Sequence, residues 1–339
     1  MISEPASRSY LPEAARRAAA RIELSRRPLI FSHVRLDGDA IGSELALRAM
    51  LQERGALPHA VNDGAIPKIY RFLPGVPEVG TSAKDLRDDY DLAICLDMAS
   101  RERGGDVAKA LDKDLPIVRI DHHLSYEPPG ENDWTDTSFS SVGEMLCVLA
   151  RAANWTISRD AAACLYVAIV TDTGRFTFPN TTPATFRAAA ELLELGADHA
   201  AISEQLYQQE DPKLAALRAD AVAEMTRHAG GRIAVMRVTR RMFERRGVNP
   251  IDAQNMADIP RSQAGVLVGV LLMEMAGRPE MKVSLRSAKG VDIEPVARRF
   301  DGGGHRQAAG CQIAGDLDAV ERLVVAEATK TLPPEGAAP

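Results

Sequence analysis

The sequence is poor in cysteine, carries no excess of basic residues and contains no apolar run long enough to cross a bilayer. Three of its four cysteines lie in apolar runs, and none forms a Cys-x-x-Cys pair; they are Cys95, Cys147, Cys164 and Cys311. This pattern indicates buried thiols in a reducing compartment and argues against disulfides or a cysteine zinc site. The formal net charge of −6 argues against a large basic surface for long nucleic acid but leaves a short anionic ligand open.

Membrane and export signals are also missing. The most apolar stretch, 264–276, is interrupted by Glu274 and is shorter than the about 20 apolar residues that a transmembrane helix needs. Residues 1–10 are polar and lack the apolar core of a signal peptide. We therefore expect a cytoplasmic protein with no membrane partner. The sequence contains no long repeat or heptad array, no Gly-x-Ser-x-Gly nucleophile elbow and no Gly-x-x-x-x-Gly-Lys-Ser/Thr phosphate loop.

The length and composition predict a globular protein of two domains. Single cores stop growing at roughly 250–300 residues, and this chain has 339, of which 45% are hydrophobic and 26% charged. We expect an α/β protein with a parallel-sheet α/β domain at 1–196 and a smaller C-terminal α/β domain at 230–332. A helical connector, 197–229, would join them, and a frayed tail would follow at 333–339.

Hydrophobic periodicity gives the predicted elements. In the first domain the strands are 28–32, 57–61, 91–96 and 116–120, and the helices are 12–24, 44–54, 66–73, 106–111, 141–153 and 161–170, the last of which could in part be a strand. Helices are predicted at 182–195, 198–208 and 212–228. The second domain should contain strands 233–238, 265–275 and 281–286 and helices 292–300 and 317–331.

Polar residues follow three of these apolar runs at their carboxyl ends. Ligands of open α/β sheets bind in the crevice outside the carboxyl ends of the strands, so we expect these side chains to converge. Asp172 follows a further apolar run, and a buried aspartate needs a partner, which a metal would supply. The residues concerned are His33, Asp37 and Asp39 after the first strand, Asp97 after the third, and Asp121, His122 and His123 after the fourth.

A glycine separates the first two aspartates. Gly38 lets the backbone bend tightly so that Asp37 and Asp39 converge, and a side chain at this position could obstruct that geometry. We place this polar cluster in a loop between strand and helix. For Asp39 alone, an alternative is that it only caps the helix that follows.

Together these residues favour a pair of divalent cations. The set has four carboxylates and two imidazoles, too many oxygens for a typical structural zinc site but suited to two Mn²⁺ or Mg²⁺ ions. Two metals about 3.5–4 Å apart can activate water and neutralise charge on a phosphoryl group. The sequence therefore indicates hydrolysis at phosphorus. The predicted ligands are His33, Asp37, Asp39, Asp97, His122 and Asp172.

The same residues resemble the motifs of a known family. The segment 33–43, Asp97, the Asp121-His122-His123 triplet and the segment 171–174 resemble, in order, the four motifs of DHH-family phosphoesterases. Arg286 within 282–287 and the run Gly302-Gly303-Gly304-His305 resemble the DHH-associated C-terminal domain of the nanoRNase and phosphoadenosine-phosphate phosphatase branch. The resemblance covers nearly the whole chain. One departure is Leu36, where many relatives have proline, but it removes no ligand.

The resemblance implies a role for each residue of the site. His33, Asp37 and Asp97 would hold one metal, and Asp39, Asp97, His122 and Asp172 the other, so that Asp97 bridges the two. Asp121 would support the site from outside the metal shell. His123 would face the substrate and stabilise the phosphoryl oxygens or the leaving group; the alternative for His123 is a hydrogen-bonded loop histidine. The expected catalytic residues are thus His123, Asp97 and Asp121.

A second group of residues is expected to bind the substrate. Without side chains, the backbone N–H groups of Gly302, Gly303 and Gly304 can approach a phosphate closely, and Arg286 and His305 can add charge. The alternative for the glycines is a flexible turn between domains. Arg103 matches a recurring basic position and could contact phosphate or form a surface ion pair. Trp134 is either a packing residue or a base-stacking platform.

The predicted function is a Mn²⁺-dependent hydrolase with two bound ions, for which Mg²⁺ or Co²⁺ are alternatives. It would cut short oligoribonucleotides (nanoRNA) to mononucleotides and would also convert 3′-phosphoadenosine 5′-phosphate to AMP. Three alternatives stay open: a cyclic or linear dinucleotide phosphodiesterase, a metal-dependent nucleotide sensor without turnover, and an inorganic pyrophosphatase, which Arg286 and the glycine run fit less well. The expected partners of the protein are short oligoribonucleotides or small nucleotides but not long nucleic acid. Whether the protein forms a homodimer is left open.

Overall fold

The computed structural model describes residues 12–124, 128–275, 277 and 279–334. It divides the chain into two compact units, one ending at Gln208 and the other beginning at Gln209. Each unit combines helices with a β-sheet, so the predicted α/β class is confirmed. The polar segment 1–10 and most of the predicted tail, 335–339, lie outside the described residues. The predicted connector, 197–229, is divided between the two units, and the three-part domain division stays a prediction.

The first unit is built on a parallel sheet of five strands. Because all neighbouring strands are parallel, their carboxyl ends share one edge of the sheet. The strands lie in the order β2-β1-β3-β4-β5, and their bounds are β1 (Pro28–Phe31), β2 (His59–Ala60), β3 (Leu92–Leu96), β4 (Ile117–Asp121) and β5 (Trp134–Thr135).

The central strands are buried on both faces, as their continuous apolar runs predict. Ile30 of β1 and Ile94 of β3 face one apolar cluster, and Phe31 and Cys95 face another on the opposite side of the sheet. Every residue of β1 and β3 is buried. The sheet is therefore a rigid support for the side chains that follow its strands.

Helices cover this sheet, and one of them begins earlier than predicted. The helix expected at 44–54 starts at Gly38, because small residues let it pack tightly against a second helix: a Cβ on Gly42 would lie 2.5 Å from the backbone oxygen of Cys164. The run at 161–170 is helical throughout. The predicted helix 66–73 is only a 3₁₀ turn at Lys68–Tyr70. The helices are α1 (Glu13–Glu23), α2 (Gly38–Glu53), α3 (Gly105–Ala110), α4 (Val142–Ala152), α5 (Arg159–Asp172), α6 (Pro183–Glu194) and α7 (His199–Tyr207).

The second unit contains a mixed sheet of six strands in the order β10-β11-β9-β8-β7-β6, in which only β7 and β8 pair in parallel. The strands are β6 (Thr226–His228), β7 (Ile233–Val238), β8 (Val268–Glu274), β9 (Glu280–Ser287), β10 (Gly303–His305) and β11 (Ala308–Ala314). The helices are α8 (Pro212–Ala223), α9 (Arg240–Arg246), α10 (Glu294–Arg298) and α11 (Leu317–Thr329).

Two corrections concern the second unit. The helix predicted at 212–228 ends at Ala223, and residues 226–228 form a strand that pairs with β7. The strands β10 and β11 and the helix α9 were not predicted. The glycine run does not form the flexible turn that was the alternative to phosphate binding, because Gly303 and Gly304 pair with β11, which is itself made mostly of small residues with weak alternation.

Three predictions about individual side chains can be checked directly. All four cysteines are free and buried, as predicted. Trp134 is 1% exposed and packs edge-on against Phe139 with ring centroids 5.4 Å apart, so it is a packing residue with no face open to a base. Within the described ranges, no helix combines the length and apolarity needed to cross a membrane.

Candidate metal centre

The polar residues predicted to converge do lie together at the carboxyl edge of the parallel sheet. Asp39 is not in a loop, however, because it occupies the first turn of α2, and Asp172 is the last residue of α5. The others follow the strands: His33 comes after β1, Asp37 is the N-cap of α2, Asp97 comes after β3, Asp121 ends β4, and His122 and His123 come next.

One group joins the ends of β1 and β3. Nε2 of His33 lies 3.6 Å from Oδ2 of Asp37 and 3.4 Å from Oδ2 of Asp97. His33 and Asp97 are buried, whereas Asp37 is about half exposed. Asp37 also accepts a hydrogen bond of 3.0 Å from the backbone N–H of Ala40. Asp37 is therefore the residue that caps α2, the role that the sequence left open for Asp39.

A second group surrounds His122. Its Nε2 lies 3.5 Å from Oδ2 of Asp39 and 3.5 Å from Oδ2 of Asp172. Asp39 is held from the other side by the N-terminus of α4, where the backbone N–H groups of Val142 and Gly143 donate to its two oxygens at 2.7 and 2.9 Å. The helix dipole and these donors fix the orientation of the carboxylate.

Asp97 lies between the two groups. Its Oδ2 faces His33, and its Oδ1 lies 3.4 Å from Nε2 of His122 and 3.3 Å from Nδ1 of His123. No hydrogen bond reaches Oδ1 within the described part of the chain, although the atom is buried. The backbone of Asp97 is left-handed, with φ 57°, a strained conformation that clusters at functional sites.

His123 is oriented by Asp121. Its Nδ1 lies 2.8 Å from Oδ1 of Asp121, and its backbone N–H donates to the same oxygen at 3.2 Å. Burial raises the pKa of Asp121, but the charge of His123 outweighs it and leaves the pKa lowered. An ionised carboxylate only accepts hydrogen bonds, so Nδ1 of His123 carries a proton.

The titration behaviour reflects crowded charges in a buried site. Burial alone would lower the pKa of His33, but the carboxylates of Asp37 and Asp97 raise it to about 10. Burial raises the pKa of Asp172 to about 6, against the opposing charge of His122. Burial and the charge of Asp97 also hold the pKa of Asp39 well above its usual range. The cluster therefore retains protons at neutral pH, which the binding of a cation would displace.

The donor set fits divalent metals. Three residues of each group offer ligand atoms that lie within 4.8 Å of one another: His33, Asp37 and Asp97 in one group, and Asp39, His122 and Asp172 in the other. Carboxylate and imidazole donors suit divalent cations such as Mn²⁺. The buried Oδ1 of Asp97 accepts no hydrogen bond from the described residues, so its lone pairs can bind a cation.

Gly38 allows the first turn of α2 to approach the last turn of α5. A Cβ at this position would lie 2.3 Å from Oγ1 of Thr171, far inside contact distance. Gly38 separates Asp37 from Asp39, and Thr171 precedes Asp172. The close approach of the two helices therefore brings the carboxylates of Asp39 and Asp172 to the imidazole of His122.

A buried network behind the site was not predicted. Asn62 accepts from the backbone N–H of Ser32 at 2.9 Å and donates to Oε2 of Glu44 at 2.6 Å, while the Ser32 hydroxyl donates to the backbone oxygen of Leu96 at 2.7 Å. Burial raises the pKa of Glu44 to about 8. Ser32 precedes His33 and Leu96 precedes Asp97, so the network fixes the two strand ends that carry these residues.

Arg103 lies near His33. Its backbone oxygen accepts from the N–H of Val34 at 2.7 Å, and its charge opposes protonation of His33. The guanidinium is exposed and forms no ion pair with any described residue. Of the two predicted roles, this arrangement favours a phosphate contact.

The predicted substrate-binding residues of the second unit lie on or next to β9 and β10, the two strands that flank β11. Ala308 of β11 pairs with His305 on one side and with Arg286 on the other, so the three share one face of the sheet. Arg286 donates to Asp258 at 2.8 Å. A Cβ on Gly302 would lie 2.2 Å from the backbone oxygen of Gly310, and Gly304 has φ 141°, so both positions require glycine.

Comparisons with known proteins agree with this geometry. Residues 27–169 match the model described as "DHH family, N-terminal domain", and residues 230–331 match the "DHHA1 domain". The chain is 33% identical over 300 residues to the bifunctional oligoribonuclease and PAP phosphatase NrnA of Thermus thermophilus, and 30% identical over 295 residues to the protein of the same name in Bacillus subtilis. The alignments cover 88% of both chains in the first case, and 84% of this chain and 88% of the relative in the second.

A solved structure confirms the fold. The exopolyphosphatase-related protein of Bacteroides fragilis superposes with a TM-score of 0.85 at 23% identity, covering 96% of this chain and 98% of that one. Clustered carboxylates and imidazoles at the edge of a parallel sheet define a hydrolase acting on phosphoric ester bonds. The chain belongs to the DHH family of phosphoesterases.

Proposed function

We propose that this protein is a cytoplasmic, Mn²⁺-dependent enzyme that hydrolyses short oligoribonucleotides to mononucleotides and 3′-phosphoadenosine 5′-phosphate to AMP. The observation that carries the proposal is the position of Asp97, which presents one oxygen to His33 and the other to His122. The relatives named as oligoribonuclease and PAP phosphatase support the substrate class.

Each of the two groups around Asp97 would bind one cation. His33, Asp37 and Asp97 would hold one cation, and Asp39, Asp97, His122 and Asp172 the other. When bound, the cations supply Lewis-acid activation of water and neutralise charge on the phosphoryl oxygens. The left-handed backbone at Asp97 and the α4 donors to Asp39 fix these carboxylates before substrate binds.

His123 acts on the substrate side of the site. Because Asp121 holds a proton on Nδ1 of His123, the other ring nitrogen, Nε2, would face the substrate. A protonated imidazole can donate from Nε2 to a phosphoryl oxygen or to the leaving oxygen. Arg103, beside His33, would bind a further phosphoryl oxygen.

The second unit would bind the rest of the substrate. Arg286 and His305 lie on one face of its sheet, and Gly302, Gly303 and Gly304 leave the backbone at the start of the edge strand β10 without side chains. Backbone N–H groups and a planar guanidinium are suited to a terminal phosphate. Asp258 accepts a hydrogen bond from Nε of Arg286 and so orients the guanidinium, whose other donors would bind the ligand.

A substrate panel tests the proposal. Purified protein with Mn²⁺ should degrade di- to pentanucleotides faster than a long RNA and should release phosphate from 3′-phosphoadenosine 5′-phosphate. Asp97→Asn keeps the size of the side chain and suits a left-handed backbone, so it should remove hydrolysis while the circular dichroism spectrum stays unchanged.

The matched control is Asp114→Asn. Asp114 is exposed and precedes β4, at the opposite edge of the sheet, so its substitution should leave hydrolysis unchanged. Faster cleavage of long RNA would refute the restriction to short substrates. A higher rate on a cyclic dinucleotide would favour the phosphodiesterase alternative, and tight nucleotide binding without turnover would favour the sensor.

A further inference from the structure

The backbone directly after Asp172 and Thr173 takes an unusual course. Gly174, Arg175 and Phe176 all have left-handed dihedrals, with φ of 53°, 62° and 62°. Residues other than glycine adopt this conformation only at a cost in free energy. This turn sends two neighbouring side chains in different directions: Phe176 packs against Tyr166, whereas Arg175 is exposed.

Arg175 is held in place without an acidic partner. Its guanidinium carbon lies 4.5 Å from the centre of the Tyr207 ring, a distance typical of a cation–π contact. Within the described ranges it forms no ion pair and no side-chain hydrogen bond. Its donors are therefore oriented by an aromatic face yet open to an anion.

This open cation lies close to the metal centre. Arg175 comes three positions after Asp172 in the chain, and three residues span at most about 11 Å.

We propose that Arg175, supported by Tyr207, forms a subsite for a second, non-scissile phosphate of the substrate. The inference rests on the proposed hydrolysis of nucleotides and adds a residue for which no role has been assigned. A planar guanidinium stacked on a ring loses little freedom when it binds a phosphate through two donors. Arg175 would thus distinguish substrates that carry two phosphates from substrates that carry one.

Equilibrium binding of two matched probes tests the subsite. Both are fluorescent diadenylates whose internal linkage is a phosphorothioate that resists hydrolysis, and only one of them carries a 5′-phosphate. The variants are Arg175→Ala and Arg175→Lys. Arg26→Ala is the control, because Arg26 is an exposed arginine that precedes β1 at the opposite edge of the sheet.

A hydrogen-bonded charge contributes about 1.5–3 kcal/mol. Arg175→Ala should therefore weaken binding of the 5′-phosphorylated probe about 10- to 100-fold, while binding of the other probe changes less than about twofold. The slope of log Kd against log salt should fall by about 0.7 for the phosphorylated probe. Arg175→Lys should lie between wild type and Arg175→Ala, since lysine keeps the charge but not the planar donors.

Equal losses on both probes, no loss on either, no binding by the wild type or an equal effect of Arg26→Ala would each overturn the subsite. Hydrolysis separates this result from the proposed function. A wild type that binds the phosphorylated probe through Arg175 but cleaves no oligonucleotide would refute the function and leave the subsite standing. A wild type that cleaves normally, with unchanged binding in Arg175→Ala, would do the reverse.

Discussion

Replacing Gly38 by alanine tests how closely the two ligand-bearing helices must approach. The added Cβ would lie 2.3, 2.6 and 2.8 Å from Oγ1, Cγ2 and Cβ of Thr171. Carbon atoms pack best at about 3.5–4.0 Å, so relief of the overlap needs a shift of about 1 Å between the first turn of α2 and the last turn of α5. That shift also moves Asp39 away from Asp172, the two carboxylates that face His122.

The size of the effect follows from this displacement. Overpacking of a tight contact costs about 1–3 kcal/mol, so we expect the free energy of unfolding to fall by that amount in urea denaturation. Metal sites tolerate only about 0.2 Å of change in ligand distance, and a displacement of about 1 Å can cost about 100-fold in rate. Gly38→Ala should therefore hydrolyse a dinucleotide about 100-fold more slowly and bind Mn²⁺ more weakly.

A second substitution distinguishes overlap from other causes. Thr171→Ala removes Oγ1 and Cγ2 and leaves only the 2.8 Å contact, so the variant Gly38→Ala/Thr171→Ala should recover at least about tenfold of the lost activity. Thr171→Ala alone is the control for loss of the hydroxyl. Wild-type stability and rate in Gly38→Ala, or a double variant no better than the single one, would contradict the reasoning.

Three further predictions concern charge. Asp121→Asn removes the carboxylate that orients the His123 ring through Nδ1, so kcat should fall about 10- to 100-fold with Mn²⁺ affinity within about twofold of wild type; an equal loss of Mn²⁺ binding would instead make Asp121 a ligand. The pKa of His33 is raised to about 10 and that of Asp172 to about 6, so binding of Mn²⁺ must displace protons and its affinity should rise from pH 6 to pH 8. Calorimetry in two buffers of different ionisation enthalpy should detect the protons that are released, and identical heats in both buffers would refute this prediction. In the second unit, burial alone would raise the pKa of Glu321, but hydrogen bonds, that of Arg237 foremost, leave it lowered, so the stabilising effect of Glu321 is present at neutral pH and is lost as the pH falls through the lowered value. Glu321→Gln should therefore cost about 1.5–3 kcal/mol at pH 7 and progressively less as the pH falls below the usual titration range of a glutamate, and a difference that does not change with pH would contradict the assignment.

The sequence predicts the parallel sheet well because its strands are buried on both faces. Continuous apolar runs such as 92–96 leave little room for another structure, and the polar residues that follow them mark the functional edge. Sequence periodicity failed where packing overrides propensity. Gly38 and Gly42 are poor helix formers, yet α2 includes both because they allow close contact with α5.

Other parts of the site leave no local signal. The network of Asn62, Glu44 and Ser32 depends on residues brought together by the fold, and neither the identity nor the spacing of these residues marks it. The backbone N–H groups of α4 that donate to Asp39 also leave no local signal, because they lie more than one hundred positions further along the chain. The glycines of β10 resemble a turn, and only their pairing with β11 shows that they form a strand.

The left-handed backbone at Asp97 also limits how this protein can diverge. A φ of 57° favours aspartate, asparagine and glycine over other residues. Glutamate, the other acidic residue, is poorly suited to it, so the carboxylate of Asp97 has no acidic replacement at this position. The substitution with the least backbone strain is asparagine, which would keep the fold and weaken the metal centre. Loss of turnover with retained nucleotide binding is therefore one substitution away, a short evolutionary route from an enzyme to a receptor.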